Sequence, residues 1–300
     1  MQHSIIKASI KKEFWEFKGV LTWVPVAIIG LLLAIPLLAM ALNGLDGEKF
    51  LKGMSQLNEF AQTPELQGFF FTSIVSLFAP FILIGFIVQC YYFINCLFDE
   101  RRDRSVIFWR SLPVSDRITI GSKLFTGAVV IPAIFASAAT MLFMLGAVLS
   151  LICALVLNVF YDISLWAFLA QLNVLSTISA IWLSLIVIAL WLLPLYSWLL
   201  LTSIYAKKAP FLWAVLPIVA LLLVEGMVVH YFQLSQPWLA LALKDYLSLK
   251  PMIETNNNDL LLPFEAFKLL VNQISISTFV VSGVFIYATY WLRVNKKDVD

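Results

Sequence analysis

Residues 124–161 read LFTGAVVIPAIFASAATMLFMLGAVLSLICALVLNVFY, 38 consecutive positions without a charge. As one helix the stretch would be about 57 Å long at 1.5 Å per residue, whereas crossing a hydrocarbon core of about 30 Å takes about 20 residues. Residues 19–42, 66–98, 163–206 and 269–292 are also uncharged, and 209–243 carries only Glu225. Over the 300 residues, 61% are hydrophobic and 13% charged, with a mean hydropathy of +0.92; an ordinary soluble domain has about 25% charged residues. Unpaired backbone groups are so costly in lipid that such runs form helices or a closed barrel, and barrel strands alternate polar with apolar residues. No such alternation occurs. The chain is therefore expected to be an all-α membrane protein.

Six spans are expected, at about 19–42, 69–97, 124–150, 173–201, 209–230 and 271–292. With the N-terminus inside, 15 of the 20 basic residues fall in the cytoplasmic segments, as the positive-inside rule requires. The outer segments keep Lys49, Lys52, Lys244, Lys250 and Lys268. Both termini are then cytoplasmic, and residues 231–268 form a large outer segment. The runs 124–161 and 163–206 are each long enough for a hairpin. Splitting only one would move Lys207, Lys208 and the basic tail outside, but splitting both would give eight spans with the same basic pattern. Gln171, Asn173, Ser176, Thr177 and Ser179 suggest an interfacial or water-lined stretch before the fourth span.

Residues 1–18 lack the apolar core of a cleaved signal peptide. Ile6, Ile10, Phe14 and Phe17 instead recur at helical spacing, with Lys7, Lys11 and Lys18 on another side, which predicts an amphipathic helix in the cytoplasmic interface; a loose basic anchor is the alternative. Cys90, Cys96 and Cys153 offer no disulfide framework. His3 and His230 are the only histidines, so no metal site, zinc motif or serine–histidine pair can be assembled, and no G-x-x-x-x-G-K-[ST] motif for ATP occurs. The chain is not expected to be an enzyme by itself, to bind a cofactor or to meet nucleic acid. Glu225 is the one ionisable residue well inside a span; it either makes a structural hydrogen bond between helices or belongs to a translocation path. The tryptophans read as interface anchors and packing.

Between the second and third spans, residues 98–116 read FDERRDRSVIFWRSLPVSD. A purely topogenic loop needs a few basic residues and little else. This one mixes arginines and acids with an apolar block that ends at Leu-Pro-Val-Ser. Glu100 and Arg104 are spaced for a helical ion pair. Pro113 breaks the helix, and Ser115 is placed to cap the next one.

In this loop the chain resembles the ABC-2 type permeases of ATP-binding-cassette transporters. Their Glu-Arg pair, short variable helix, Ser-Leu-Pro-Val-Ser-like turn and downstream Ser-Lys are matched by Glu100-Arg101, residues 111–115 and Ser122-Lys123. Where the family often has Gly-Thr, this chain has Arg104-Ser105. The resemblance implies a permease subunit that assembles with a second permease copy or paralogue and with two P-loop ATPase subunits, which bind ATP and Mg. It also implies residence in a prokaryotic inner membrane and a role in export. The loop would dock in the ATPase and transmit its closure through Glu100, Arg101, Arg104, Trp109, Arg110, Leu112, Pro113, Val114, Ser115 and Lys123. A non-transporting assembly or signalling subunit, or an integral membrane enzyme, are the alternatives.

Overall fold

The computed structural model describes residues 2–44, 46–60, 63, 65–103, 115–233, 236–248 and 262–295. Among them the regular structure is helical throughout. The elements are α1 (Gln2–Glu16), α2 (Lys18–Asn43), α3 (Gly47–Phe60), α4 (Leu66–Asn95), α5 (Phe98–Arg102), α6 (Asp116–Phe125), a π turn (Thr126–Val130), α7 (Ile131–Tyr161), α8 (Trp166–Gln171), α9 (Val174–Trp191), α10 (Leu193–Tyr205), α11 (Pro210–Tyr231), α12 (Trp238–Leu247), α13 (Pro263–Asn272) and α14 (Ile276–Asn295).

Five helical stretches are long and apolar enough to cross a membrane, and the bent pair α13–α14, with a 62° bend between its halves, makes a sixth. The chain is thus an all-α membrane protein. Residues 124–161 form one rod rather than a hairpin, because α6, the π turn and α7 run on from Asp116 to Tyr161 over 46 residues. The third span therefore extends well past the expected end at 150. The fourth is interrupted at Leu192, between α9 and α10, where Pro194 cannot donate the hydrogen bond that would carry the helix through.

The core lies where α4, α7, α10 and α14 meet, whereas α2 and α11 stand at the margin with most of their surface exposed. α9 packs on α13 and α10 on α14, so two interrupted helices run side by side. The Tyr246 hydroxyl of α12 lies at both interruptions, donating to the Trp191 carbonyl and 3.5 Å from Thr278 Oγ1. At the end away from α1, Leu51, Met54 and Leu57 of α3 cover Ala154, Leu157 and Leu165.

α4 and the π turn approach each other closely. A π turn frees a carbonyl from the i→i+4 ladder. The Gly127 carbonyl accepts from Gln89 Nε2 at 2.9 Å, and the Gln89 amide oxygen accepts from Tyr196 at 3.4 Å. Phe93, fully buried, fills the space against Gly127 and stacks on Tyr196 at 4.8 Å between ring centroids. A Cβ at position 127 would lie 2.3 Å from Phe93 Cζ, and one at position 85 would lie 3.0 Å from Phe135 Cγ.

Gly127→Ala should consequently be destabilising by about 1–3 kcal/mol, the usual penalty for overpacking. Gly146→Ala, where a Cβ meets nothing within 4 Å, should be neutral. Thermal unfolding in detergent would compare them, and Phe93→Leu should recover part of the loss in the Gly127→Ala background.

Candidate functional site

The expected loop residues that fall within the described structure converge at one end of the helix bundle. α4 ends at Asn95, and after a turn through Cys96 and Leu97 the short α5 begins. Its first amides lack intrahelical acceptors, as at every helix start. Ser203 Oγ of α10 supplies one, accepting from Leu97 N at 3.1 Å and Phe98 N at 3.0 Å. In return Arg101 Nη2 donates to the carbonyls of Ser203 and Ala206, at 2.7 and 2.8 Å, at the C-terminal end of α10. A cation there also complements the helix dipole.

Glu100, the neighbour of Arg101, points to the other side. Only 4% exposed, its carboxylate lies 2.8 Å from Lys12 Nζ, 3.1 Å from Lys123 Nζ and 3.5 Å from Arg293 Nη1. The Glu-Arg dipeptide is thus a two-sided clamp, with one residue held by α10 and the other by α1, α6 and α14.

Lys123 is fully buried near the end of α6. Its ammonium donates to Glu13 Oε1 at 2.8 Å and to the Cys96 carbonyl at 2.9 Å, beside the contact with Glu100. Three donors therefore meet three acceptors. Glu13, also buried, accepts from the Tyr92 hydroxyl at 2.8 Å through its second oxygen. The carboxyl of Glu16, one turn further along α1 and 3.4 Å from Lys12, is pushed up from its ordinary value by partial burial and by the charge of Glu13. Arg293 near the end of α14 donates to Asp116 Oδ1 at 2.8 Å. Asp116 opens α6, and Ser115 caps that helix by accepting from Ile118 N, as expected from its place after the Leu-Pro-Val run.

Glu100, Arg101 and Lys123 are accordingly brought together, whereas Ser115 stands at the start of α6, where it caps that helix. Arg104, Trp109, Arg110, Leu112, Pro113 and Val114 lie outside the described residues, and so does the expected pair of Glu100 with Arg104. Sequence reasoning missed Lys12, Glu13, Tyr92, Asp116, Arg293 and Ser203. Lys12 and Arg293 had been counted only as topogenic charges. α1 is a helix, as its periodicity predicts, and Phe14 and Phe17 pack on the core. Its most buried described residue, however, is the carboxylate Glu13, while Ile6 is exposed.

Glu225 lies elsewhere. Its two oxygens accept from the backbone amides of Leu239 and, at 2.9 Å, Ala240, so the carboxylate caps the N-terminus of α12 from the side of α11. Leu239 and Ala240 open α12, where donors are orphaned and negative charge is favoured. Among the described residues no group of three His, Cys, Asp or Glu side chains is placed to hold a metal ion.

No protein-family model matches the chain, and no curated protein or solved structure was found to be similar to it.

Removing one partner of a buried ion pair costs about 3–5 kcal/mol, because the other charge is left uncompensated. Lys123→Met should therefore cause a severe loss of folded protein, read as monodisperse elution and melting temperature in detergent. Adding Glu13→Gln should restore part of it rather than adding a second full loss. Glu225→Gln should act locally, since its amide nitrogen cannot accept from a backbone N–H. Hydrogen exchange across Trp238–Leu247 should rise with the loss of about 0.5–2 kcal/mol of capping, while the core of α4 and α7 stays protected.

Proposed function

We propose that the chain is the permease subunit of an ABC-2 type exporter, forming the membrane pathway beside a second permease copy and driven by two P-loop ATPase subunits that bind ATP and Mg. The basic end of the bundle then faces the cytoplasm of a prokaryotic cell, in line with the distribution of lysine and arginine. The observation that supports this most is the anchoring of both ends of the 98–123 segment. At one end Glu100 and Arg101 grip α1, α6, α14 and α10; at the other Lys123 and Asp116 return to α1 and α14. A push on the intervening residues would be delivered to several helix ends at once rather than lost in a slack connection. Such a linkage is what an ATP-driven two-state element requires.

The apolar residues of the segment are assigned to the ATPase contact. Truncating or charging an interface hot spot costs about 2 kcal/mol or more, about a thirtyfold weakening. Trp109→Asp, Leu112→Asp and Val114→Asp should therefore insert normally but lose ATPase retention or transport-linked ATP hydrolysis, while Ser4→Asp should not. If all three loop variants hold the ATPase and hydrolyse like the parent, the coupling assignment is wrong. Single cysteines test the orientation in a background without Cys90, Cys96 and Cys153: Ser55→Cys and Asn257→Cys should react with an impermeant thiol reagent in intact cells, and Ser105→Cys should not.

A further inference from the structure

Beside the tight contact of α4 with α7, α9 stands off from α4 and leaves a cavity of about 530 Å3, bounded by Leu192 and Tyr196 where α10 returns to the core. That volume falls within the range of about 300–1,000 Å3 typical of ligand pockets. Its floor includes the buried rings of Phe81, Phe135 and Tyr196, and its rim includes Val75, Ile82, Leu83 and Phe86, all exposed on α4. Leu247, the last residue of α12, stands at its edge.

The polar groups on the wall are largely withdrawn from the cavity surface. Gln89 and Tyr196 are engaged with each other and with the Gly127 carbonyl. The indole nitrogen of Trp191 is closed off within the wall, with under 1 Å2 exposed. The surface that meets an occupant is therefore almost wholly apolar.

Shape narrows the class further. The lining residues on α4 run from Val75 to Gln89, about 21 Å along the helix axis at 1.5 Å per residue. This exceeds one leaflet of hydrocarbon, about 15 Å or half of the 30 Å core. An apolar space of that length matches an extended hydrocarbon chain of the surrounding bilayer. The rim sits on a 30-residue helix without a charge, so the opening faces the bilayer interior rather than water.

We propose that this cavity is a binding site for one acyl chain of a bilayer phospholipid, received sideways between α4 and α9. The inference does not rest on the transport proposal; it requires only that the helices lie in a bilayer. The wall is built for adjustment, because α9 gives way to α10 at Leu192, a lining residue, and Tyr246 ties that break to α12. Opening the cavity would need little more than a rotation at an existing interruption.

The test uses the full chain in nanodiscs doped with a phosphatidylcholine that carries a photoactivatable diazirine in its sn-2 chain, with crosslinks located by mass spectrometry. Labelling at Phe81, Phe135 and Tyr196 should saturate as the probe fraction rises. It should fall about tenfold in Ala79→Trp, which obstructs the mouth from an exposed position, while labelling of the exposed Leu31 and Leu37 on α2 is unchanged. Leu185→Trp, from the facing wall, replaces Ala79→Trp if that variant fails to fold. Several outcomes would overturn the proposal: no label on the floor residues, labelling that rises linearly as it does on α2, or saturable labelling indifferent to both tryptophans. Displacement of the probe by free palmitic acid but not by excess unlabelled phosphatidylcholine would also overturn it, because the site would then belong to a free fatty acid. Efficient disulfide formation between Leu83→Cys copies that abolishes labelling would assign the face to a second copy of the chain instead.

Discussion

A lysine ammonium with no access to solvent organises one end of this molecule. Burying an ion costs several kcal/mol even after relaxation, and the cost is recovered only when geometry and hydrogen bonding are both complete. Lys123 meets that condition with two carboxylates and a carbonyl drawn from α1, α5 and the end of α4. Because Glu13 and Glu100 are themselves buried, each must in turn be completed, by Tyr92 in one case and by Lys12 and Arg293 in the other. The requirement spreads from residue to residue until the ends of α1, α4, α6 and α14 are fixed relative to one another. Arg101 and Ser203 extend the same logic to α10 through backbone groups rather than side-chain charges.

The centre of the bundle follows a different rule. In hydrocarbon every backbone group needs a partner inside the protein, and irregular backbone survives only where it is buried or lines a cavity. The π turn and the break at Leu192 both obey this. Gln89 satisfies the carbonyl of Gly127, and Tyr246 reaches the carbonyl of Trp191. The two side chains come from different helices, so each irregularity is also a tie between elements. Glycine at 127 and 85 then admits aromatic rings where any Cβ would crowd them. The bundle is thus rigid where α4 meets α7 and articulated where α9 and α13 give way to α10 and α14.

Much of the architecture was legible in the chain itself. Uncharged runs of more than 20 residues leave few choices in lipid, and they placed α2, α4 and α11 closely, while the third span runs 11 residues past its expected end. Ser115 was recognisable as a cap from its position after the Leu-Pro-Val run. What was not legible was which long run breaks and which does not: residues 124–161 continue as a single rod, whereas 163–206 is broken at Leu172 and Asn173 and again at Leu192. Both are apolar and both contain proline, and in each the side chain that takes up a freed carbonyl, Gln89 or Tyr246, comes from a distant part of the chain. Glu225 shows the same limit, since its capping role depends on α12, a helix that begins 13 residues later and returns to it.

The sequence by itself determined that the chain is helical and lives in a membrane, and it marked the 98–123 segment as chemically unusual, because hydrophobicity and local spacing are properties of consecutive residues. Only the tertiary structure decided that Glu13, Glu100, Lys123 and Arg293 form one cluster and that the cavity beside α4 is long and apolar. Residues separated by 110 positions, as Glu13 and Lys123 are, leave no trace of their pairing in local pattern. Their partnership is set by how the helices pack, and by the rule that a charge withdrawn from water must find its complement at that place.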